Sequence, residues 1–368
     1  MNPGFAKVAP SLIREVNARK KPGDIDLGLG EPVLRPDMGA FERALARVRE
    51  RGCPYTANAG DEALRDAVAR RLETEASQIV ITHGSQEALY LGIRVAVDPS
   101  EDEVLVVEPA YPAYTRICEA EGIAVRAVGL SPDDGFTPRA QPVLEALTSR
   151  TRLVVLSSPC NPTGRVWAPD ELARLYAGLP EGCRVLRDEV YHELTFDHAR
   201  QASAATLRAS TLIAGGLSKS HALTGLRIGW LACPADIVAS AVRAHQLIAT
   251  SASTFSQHVA LEIIAGEVPS HRAHYAARLP LLAAALARHG LHAVMPEGAF
   301  YCMVAIPNGR PSLETALHLL EAHHVVTIPG SAFGQSSEGW LRISWVCEPD
   351  VLDEGLARIA AGFRAQIV

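Results

Sequence analysis

Between residues 79 and 232 short apolar runs alternate with stretches of helical spacing, and few folds accept that order. Residues 79–82, 104–107, 123–128, 153–156, 184–186, 212–214 and 228–232 read as strands. Nearly continuous apolar strands separated by helices argue a mostly parallel sheet covered by helices on both faces. In such sheets ligands gather beyond the carboxyl ends of the strands. Gly84, Tyr111, Asn161, Asp188 and Lys219 all lie just after strands of this set. A glycine turn, an aromatic ring, an amide, a carboxylate and an amine therefore converge on one edge.

The flanking segments follow other rhythms. Helices are expected over 38–51 and 61–74, the second capped by Asp61 and carrying Leu64, Val68 and Leu72 at a spacing of four. A further helix is expected over 87–97. Residues 24–32 read as extended, with Gly28 and Gly30 allowing close backbone approach, which suits a lid over a ligand. After Pro234 helices are expected at 235–248, 257–265 and 273–289, then strands at 293–295, 301–304, 325–328 and 341–345, then a last helix from Pro349. This suggests a large domain over 38–250. A smaller α+β domain would comprise 251–368 together with the N-terminal segment 1–37.

Lys219 lies among small residues between two apolar runs. Lysine is strongly hydrated and seldom sits in such a place without a task. A task that fits is covalent, an imine with an aldehyde cofactor. Arg227, eight residues on, could then hold an anion on that cofactor by paired hydrogen bonds. The turn at Gly84, with the Ser85 and Gln86 amides at a helix start, offers a second anion contact, and the Ser218 hydroxyl a third. Asp188 could keep a pyridine nitrogen protonated. Asn161 and Tyr191 could donate to a phenolate oxygen, and Tyr111 could stack on a ring. His83, just before the turn, is expected to have an ordinary structural role.

These residues fall in motifs whose order resembles that of the fold-type I pyridoxal-phosphate aminotransferases, class I/II, the aspartate aminotransferase superfamily. The main ones are Asn161-Pro162-Thr163-Gly164, Asp188-Glu189-Val190-Tyr191, Ser218-Lys219-Ser220 with Gly225-Leu226-Arg227-Ile228-Gly229, and Leu341-Arg342-Ile343-Ser344. Weaker ones lie at Tyr55 with Gly60, at Gly84 to Leu89 and at Pro296 to Tyr301. The resemblance implies the type I transferase fold, with a seven-stranded-type sheet in its large domain, and pyridoxal 5′-phosphate as cofactor. It implies that Lys219 forms the imine and moves the proton, with Asp188 and Tyr191 beside it as catalytic residues. Ser85, Gln86, Ser218 and Arg227 would bind the phosphate, Tyr111 and Asn161 the ring, and Gly30, Asn161 and Arg342 the substrate carboxylate. Tyr55 matches a tyrosine that reaches the neighbouring subunit's phosphate, so the resemblance also implies a homodimer. The implied reaction moves the amino group of an L-amino acid to a 2-oxo acid in a ping-pong cycle. A C–S (β) lyase on the same fold would use the same motifs.

Other classes find little support. A dinucleotide-dependent dehydrogenase would need a G-x-G-x-x-G fingerprint after an early strand, and none is there. The net charge of -6 and the lack of basic blocks give no footprint for nucleic acid. The seven cysteines are scattered without metal spacing, so no metal is expected. Dispersed thiols, no apolar run of membrane length and no signal-like N-terminus make a cytoplasmic protein the expectation.

Overall fold

The computed structural model describes residues 3–197 and 210–365. Helices α1 (Pro3–Lys7) and α2 (Leu12–Ala18) lead to a short strand, β1 (Ile25–Asp26). After α3 (Met38–Arg51) and α4 (Glu62–Arg71) comes the alternating region: β2 (Ile79–Thr82), α5 (Ser85–Ala96), β3 (Glu103–Glu108), α6 (Ala113–Glu121), β4 (Ala124–Gly129), α7 (Ala140–Glu145), β5 (Thr151–Ser157), α8 (Pro169–Gly178), β6 (Arg184–Asp188), β7 (Thr211–Gly216) and β8 (Gly229–Ala232). Helices α9 (Ala235–Ala249), α10 (Thr254–Ala265) and α11 (Arg272–Arg288) follow. The chain closes with β9 (Ala293–Val294), β10 (Tyr301–Ala305), α12 (Ser312–His323), β11 (Val325–Val326), β12 (Ile328–Pro329), β13 (Trp340–Ser344) and α13 (Pro349–Ala365).

The alternating region forms one seven-stranded sheet in the order β2-β8-β7-β6-β5-β3-β4. It is mostly parallel, as expected from the sequence; β8 runs antiparallel to both β2 and β7. Burial explains the strand sequences. Every residue of β2, β7 and β8 is buried, and these strands are nearly all apolar or small. β4 is one of the two edge strands, its residues half-buried or exposed, and it accommodates Arg126. The register sets Ser157, Asp188 and Ala214 side by side on β5, β6 and β7. The three chains therefore leave the sheet together, and the loops carrying Asn161, Tyr191 and Lys219 start from one line.

Local signals fix the first helices. The Asp37 carboxylate accepts from the Ala40 N–H at 2.6 Å and caps α3. Asp61 caps α4 in the same way, at 3.0 Å from the Leu64 nitrogen. Helix α5 begins at Ser85, two residues earlier than the spacing predicts. The Ser85 and Gln86 amides therefore belong to its first turn, where N–H groups have no partner within the helix.

A second, antiparallel sheet has the order β12-β13-β10-β9. Its core gathers Phe300, Leu341, Ile343 and Trp345 against Leu282 of α11 and Leu356 of α13. Strand β1 joins this half by pairing in parallel with β11. Helix α12 occupies a stretch to which the sequence reading assigns no element. Helix α10, beyond the sequence boundary at 250, packs its Val259, Ala260 and Ile263 into the core that holds Ile79, Ile81 and Trp230 of the large sheet. We propose on that packing that the larger unit extends through α10.

Arg187 and Glu189 form an ion pair at 2.5 Å, with both side chains almost wholly buried. Removing one member of a buried pair strands the other charge. Arg187→Met should lower unfolding free energy by about 3–5 kcal/mol in urea titration. Adding Glu189→Leu to that variant should recover most of the loss.

Candidate active site

A cavity of about 270 Å³ opens where the carboxyl edge of the large sheet meets the smaller sheet and the N-terminal segment. It is lined by Gly30, Ser85, Gln86, Tyr111, Asn161, Asp188, Tyr191, Ser218, Lys219, Arg227 and Arg342, all marked from sequence, so eleven of the twelve candidates meet there. The twelfth, Tyr55, does not. It is 84% exposed and lies over a separate cavity with His83 and Ser253. A larger cleft of about 720 Å³, beside Arg71, Glu193 and Pro269, contains none of the candidates. Size alone would favour that cleft; the convergence of amine, buried carboxylate and two guanidinium groups favours the smaller one.

At the floor, Lys219 Nζ donates to the Gly30 carbonyl at 2.8 Å. The Tyr301 hydroxyl donates to the same carbonyl at 3.3 Å, and the Tyr191 and Tyr301 hydroxyls lie 2.8 Å apart. One chain of hydrogen bonds thus runs from Tyr191 through Tyr301 to the backbone that holds the lysine. Gly30 is required here, because an added Cβ would fall 1.7 Å from the Tyr301 hydroxyl.

Asp188 is buried at the end of β6. Its carboxylate accepts from the Tyr114 hydroxyl at 2.7 Å and from the Val190 N–H at 3.2 Å. Burial pushes its pKa up from 3.8 to about 6, against those two donors. Burial also holds the Tyr114 phenol well above its ordinary value, so it stays a donor. Tyr111 stands edge-on to Tyr114 at 5.9 Å, and its hydroxyl donates to Gln86 Oε1 at 3.2 Å.

Two positive elements face each other across one wall. Arg227 adopts a left-handed backbone (φ 50°) and donates through Nη1 to the Thr224 carbonyl at 2.9 Å. An added Cβ on Gly84, itself at φ 78°, would lie 2.7 Å from the Arg227 guanidinium. One on Gly229 would lie 2.6 Å from both Gly84 C and Ser85 N. Glycine at both positions lets the guanidinium close on the first turn of α5. A cation against a helix N-terminus makes an anion site of phosphate type.

Arg342 holds the opposite wall. Nη1 donates to Asn161 Oδ1 at 2.9 Å, and Nη2 donates to the Gly28 carbonyl. The guanidinium lies between Tyr301 and Phe333, 4.4 and 5.0 Å from the ring centroids. Its Nε is buried without a hydrogen-bond partner. The residues fit pyridoxal 5′-phosphate: an amine for its aldehyde, a buried carboxylate for its ring nitrogen, and an anion cradle for its phosphate.

The sequence reading gave no site role to Tyr114 or Tyr301, and it marked Gly28 for close backbone approach without its contact to Arg342. Tyr114 carried a weaker signal, a second aromatic residue close after Tyr111, and the two rings meet edge to face. Tyr301 sits in a weak motif, but its role depends on pairing between β10 and β13. Met303 pairs with Arg342 and Tyr301 with Ser344, which places Tyr301 and Arg342 diagonally on one face.

A family profile described as "Aminotransferase class I and II" matches residues 27–359. A probable N-acetyl-LL-diaminopimelate aminotransferase of Bacillus subtilis is 35% identical, over 98% of this chain and 94% of its own. An arginine–pyruvate transaminase of Pseudomonas aeruginosa is 33% identical, over 91% and 88%. The solved structure of Thermus thermophilus aspartate aminotransferase with maleate superposes with a TM-score of 0.91 at 28% identity, covering 98% of this chain and 99% of that one. None of the three is described as a lyase.

The raised Asp188 pKa has a consequence for the protein without cofactor. The folded chain keeps that proton up to about pH 6, whereas an unperturbed carboxyl releases it near 3.8. Stability conferred by the protonated form is therefore full below about pH 4 and is lost as pH rises through about 6. Asp188→Asn apoprotein should be more stable than wild-type apoprotein at pH 8, by on the order of 3 kcal/mol at most. The two should converge at pH 4, read by urea denaturation at each pH.

Proposed function

The chain belongs to the class I and II aminotransferases and is a pyridoxal 5′-phosphate-dependent aminotransferase, and from that premise we propose how its residues divide the work. The observation that carries the proposal is the single cavity holding the Lys219 amine, the buried Asp188 carboxylate and two arginines on opposite walls. When bound, the cofactor supplies an aldehyde that accepts the amino group and a protonated ring that draws electrons from the substrate α-carbon.

Lys219 would anchor the cofactor through its amine, and the same amine would move the proton between the substrate α-carbon and the cofactor. Held beside both atoms, it needs no diffusing base. Asp188 keeps the ring nitrogen protonated. A cation there offsets the burial of the carboxylate, and the Tyr114 hydroxyl fixes which way it faces. Asn161 and Tyr191 bind the ring oxygen, and Tyr111 covers the ring face. Ser85, Gln86, Ser218 and Arg227 hold the phosphate. Arg342, with Asn161 and the Gly30 backbone, holds the substrate α-carboxylate. Its flanking rings keep the guanidinium in one plane, and its unpartnered Nε is one donor available to an acid.

We place Tyr55 in the neighbouring subunit's site and the chain in a homodimer. The loop bearing Tyr55 is tied to the end of α9 and the start of α10. Asn58 donates to the Thr250 carbonyl at 2.8 Å, and Thr254 to the Pro54 carbonyl at 2.6 Å. Leu247 and Ile248 on the same stretch are 88% and 52% exposed. A large aromatic and two aliphatic side chains in water on neighbouring segments favour a covered face. Seven unpaired cysteines support a reducing, cytoplasmic setting. Among the described residues no helix is long and apolar enough to cross a membrane.

The amino donor is open, because the relatives' names point to different amino acids. A mixture of L-amino acids without oxo acid should bleach the visible band of the purified holoenzyme, and a 2-oxo acid should restore it. Fractionating the mixture then identifies the donor. Lys219→Ala should lose at least roughly 10²–10⁴-fold in turnover with an unchanged circular dichroism spectrum. An unfolded variant, or one with near wild-type rate, would remove the lysine from its role. For the dimer, Lys219→Ala and Tyr55→Ala chains should be unfolded and refolded together. Shared sites predict more activity than the mean of the two parents, since a mixed dimer holds one intact site; activity equal to the mean rules sharing out.

A further inference from the structure

Three side chains able to bind a metal meet behind the phosphate-binding turn, and nothing in the reaction uses them. His83 ends the approach to the turn, Glu87 sits in the first turn of α5, and His245 projects from α9, which packs along α5. His245 Nδ1 is 2.8 Å from Glu87 Oε1, and His83 Nδ1 is 3.2 Å from Glu87 Oε2. One donor atom from each residue lies within 4.8 Å of the other two.

We propose that His83, Glu87 and His245 bind one divalent transition-metal ion of the zinc type. Zinc sits about 2.0–2.2 Å from nitrogen and carboxylate oxygen, so neighbouring ligand atoms of a tetrahedral site are about 3.3 Å apart. The two observed contacts are made to different Glu87 oxygens, so a shared ion would draw the two imidazoles toward one of them from within the 4.8 Å that the three donor atoms already span. Two imidazoles and one carboxylate suit zinc, nickel or copper; magnesium and calcium demand oxygen. Glu87 is already oriented, because the His83 N–H donates to its Oε2 at 2.6 Å.

The surroundings fit as well. The His245 ring is wholly buried, and its Nε2 has no partner. The contact between His245 Nδ1 and Glu87 fixes the ring, and binding through Nδ1 would shift the ring proton to Nε2. The His83 side chain is 36% exposed and borders a cavity of about 390 Å³ with Ser251 and Ser253. That cavity leaves room for a water as fourth ligand. The ion would fasten α9 to the turn that starts α5, a structural role distinct from the chemistry at Lys219.

The test uses the holoenzyme, stripped of adventitious metal by a chelator and titrated with zinc chloride by calorimetry, with metal content checked by mass spectrometry. The expected result is one ion per chain, bound at about micromolar or tighter. His83→Ala, at a half-exposed position, should keep the circular dichroism spectrum and weaken that ion by at least about tenfold. His318→Ala is the control, because the His318 and His323 rings lie 5.3 Å apart on α12 and form another imidazole pair. It should leave the ion in place. Absence of stoichiometric binding overturns the proposal and identifies the cluster as hydrogen bonds alone. So does binding that survives His83→Ala, as it would if zinc sat on the cofactor or at His318. None of these outcomes bears on Lys219, whose test is the visible band.

Discussion

A carboxylate taken out of water must find positive charge or a proton, and Asp188 is the group on which this structure turns. It stands at the end of a central strand, with Ser157 beside it on one side and Ala214 on the other. Among the described residues no arginine or lysine forms an ion pair with it, and a phenol and one amide are its hydrogen-bond partners. Its environment suits a carboxylate that meets a cation only when a ligand arrives. The neighbouring walls follow the same logic with opposite sign. Arg227 against the start of α5, and Arg342 between two rings, present charge to a space that can take an anion. The cavity is one negative and two positive sites around an amine, and a zwitterionic ligand with a phosphate answers all of them.

Most of this was legible in the sequence, because parallel α/β sheets put chemistry at strand ends. Asn161, Asp188 and Lys219 each follow an apolar run, so their convergence needed only the topology. What was not legible depends on pairings between distant segments. Tyr301 reaches Gly30 across 271 residues, and Arg342 reaches Gly28 across 314. No local spacing encodes such contacts. The alternation of Leu341 and Ile343 around Arg342 is equally that of a half-exposed strand. Only the fold shows that the arginine side faces Asn161 and is itself buried. Boundaries failed for local reasons. Ser85 and Gln86 read as turn residues by composition, yet they open α5. Helix α10 comes after the βα rhythm has ended, and its apolar face packs into the core that holds Ile79 and Trp230.

The two glycines at the phosphate wall show how backbone freedom becomes electrostatics. Gly84 and Gly229 make nothing themselves. A Cβ at Gly84 would crowd the Arg227 guanidinium, and one at Gly229 would crowd the backbone of Gly84 and Ser85. Arg227 pays the complementary cost, a left-handed backbone for a residue with a side chain, in order to present that guanidinium. Strain at one residue and openness at two others are parts of one device. A substitution at Gly84 would act on anion binding by pushing the Arg227 guanidinium away from the first turn of α5.

The same turn is braced from behind, and this ties the cofactor wall to the rest of the molecule. Glu87 accepts from the His83 N–H, so the carboxylate that begins the helix also closes the loop before it. His245 holds that carboxylate from α9, and α9 ends at the exposed Leu247 and Ile248 beside the loop of Tyr55. From the proposed subunit face to the phosphate cradle is thus one short path: α9, His245, Glu87, turn. Three things must agree for the cradle to hold its shape: the helix start, the imidazole behind it and the surface that covers the end of α9. A dimer that shares Tyr55 across its interface would set the last two at once, which is a physical reason for the anion site and the subunit contact to lie on adjoining segments.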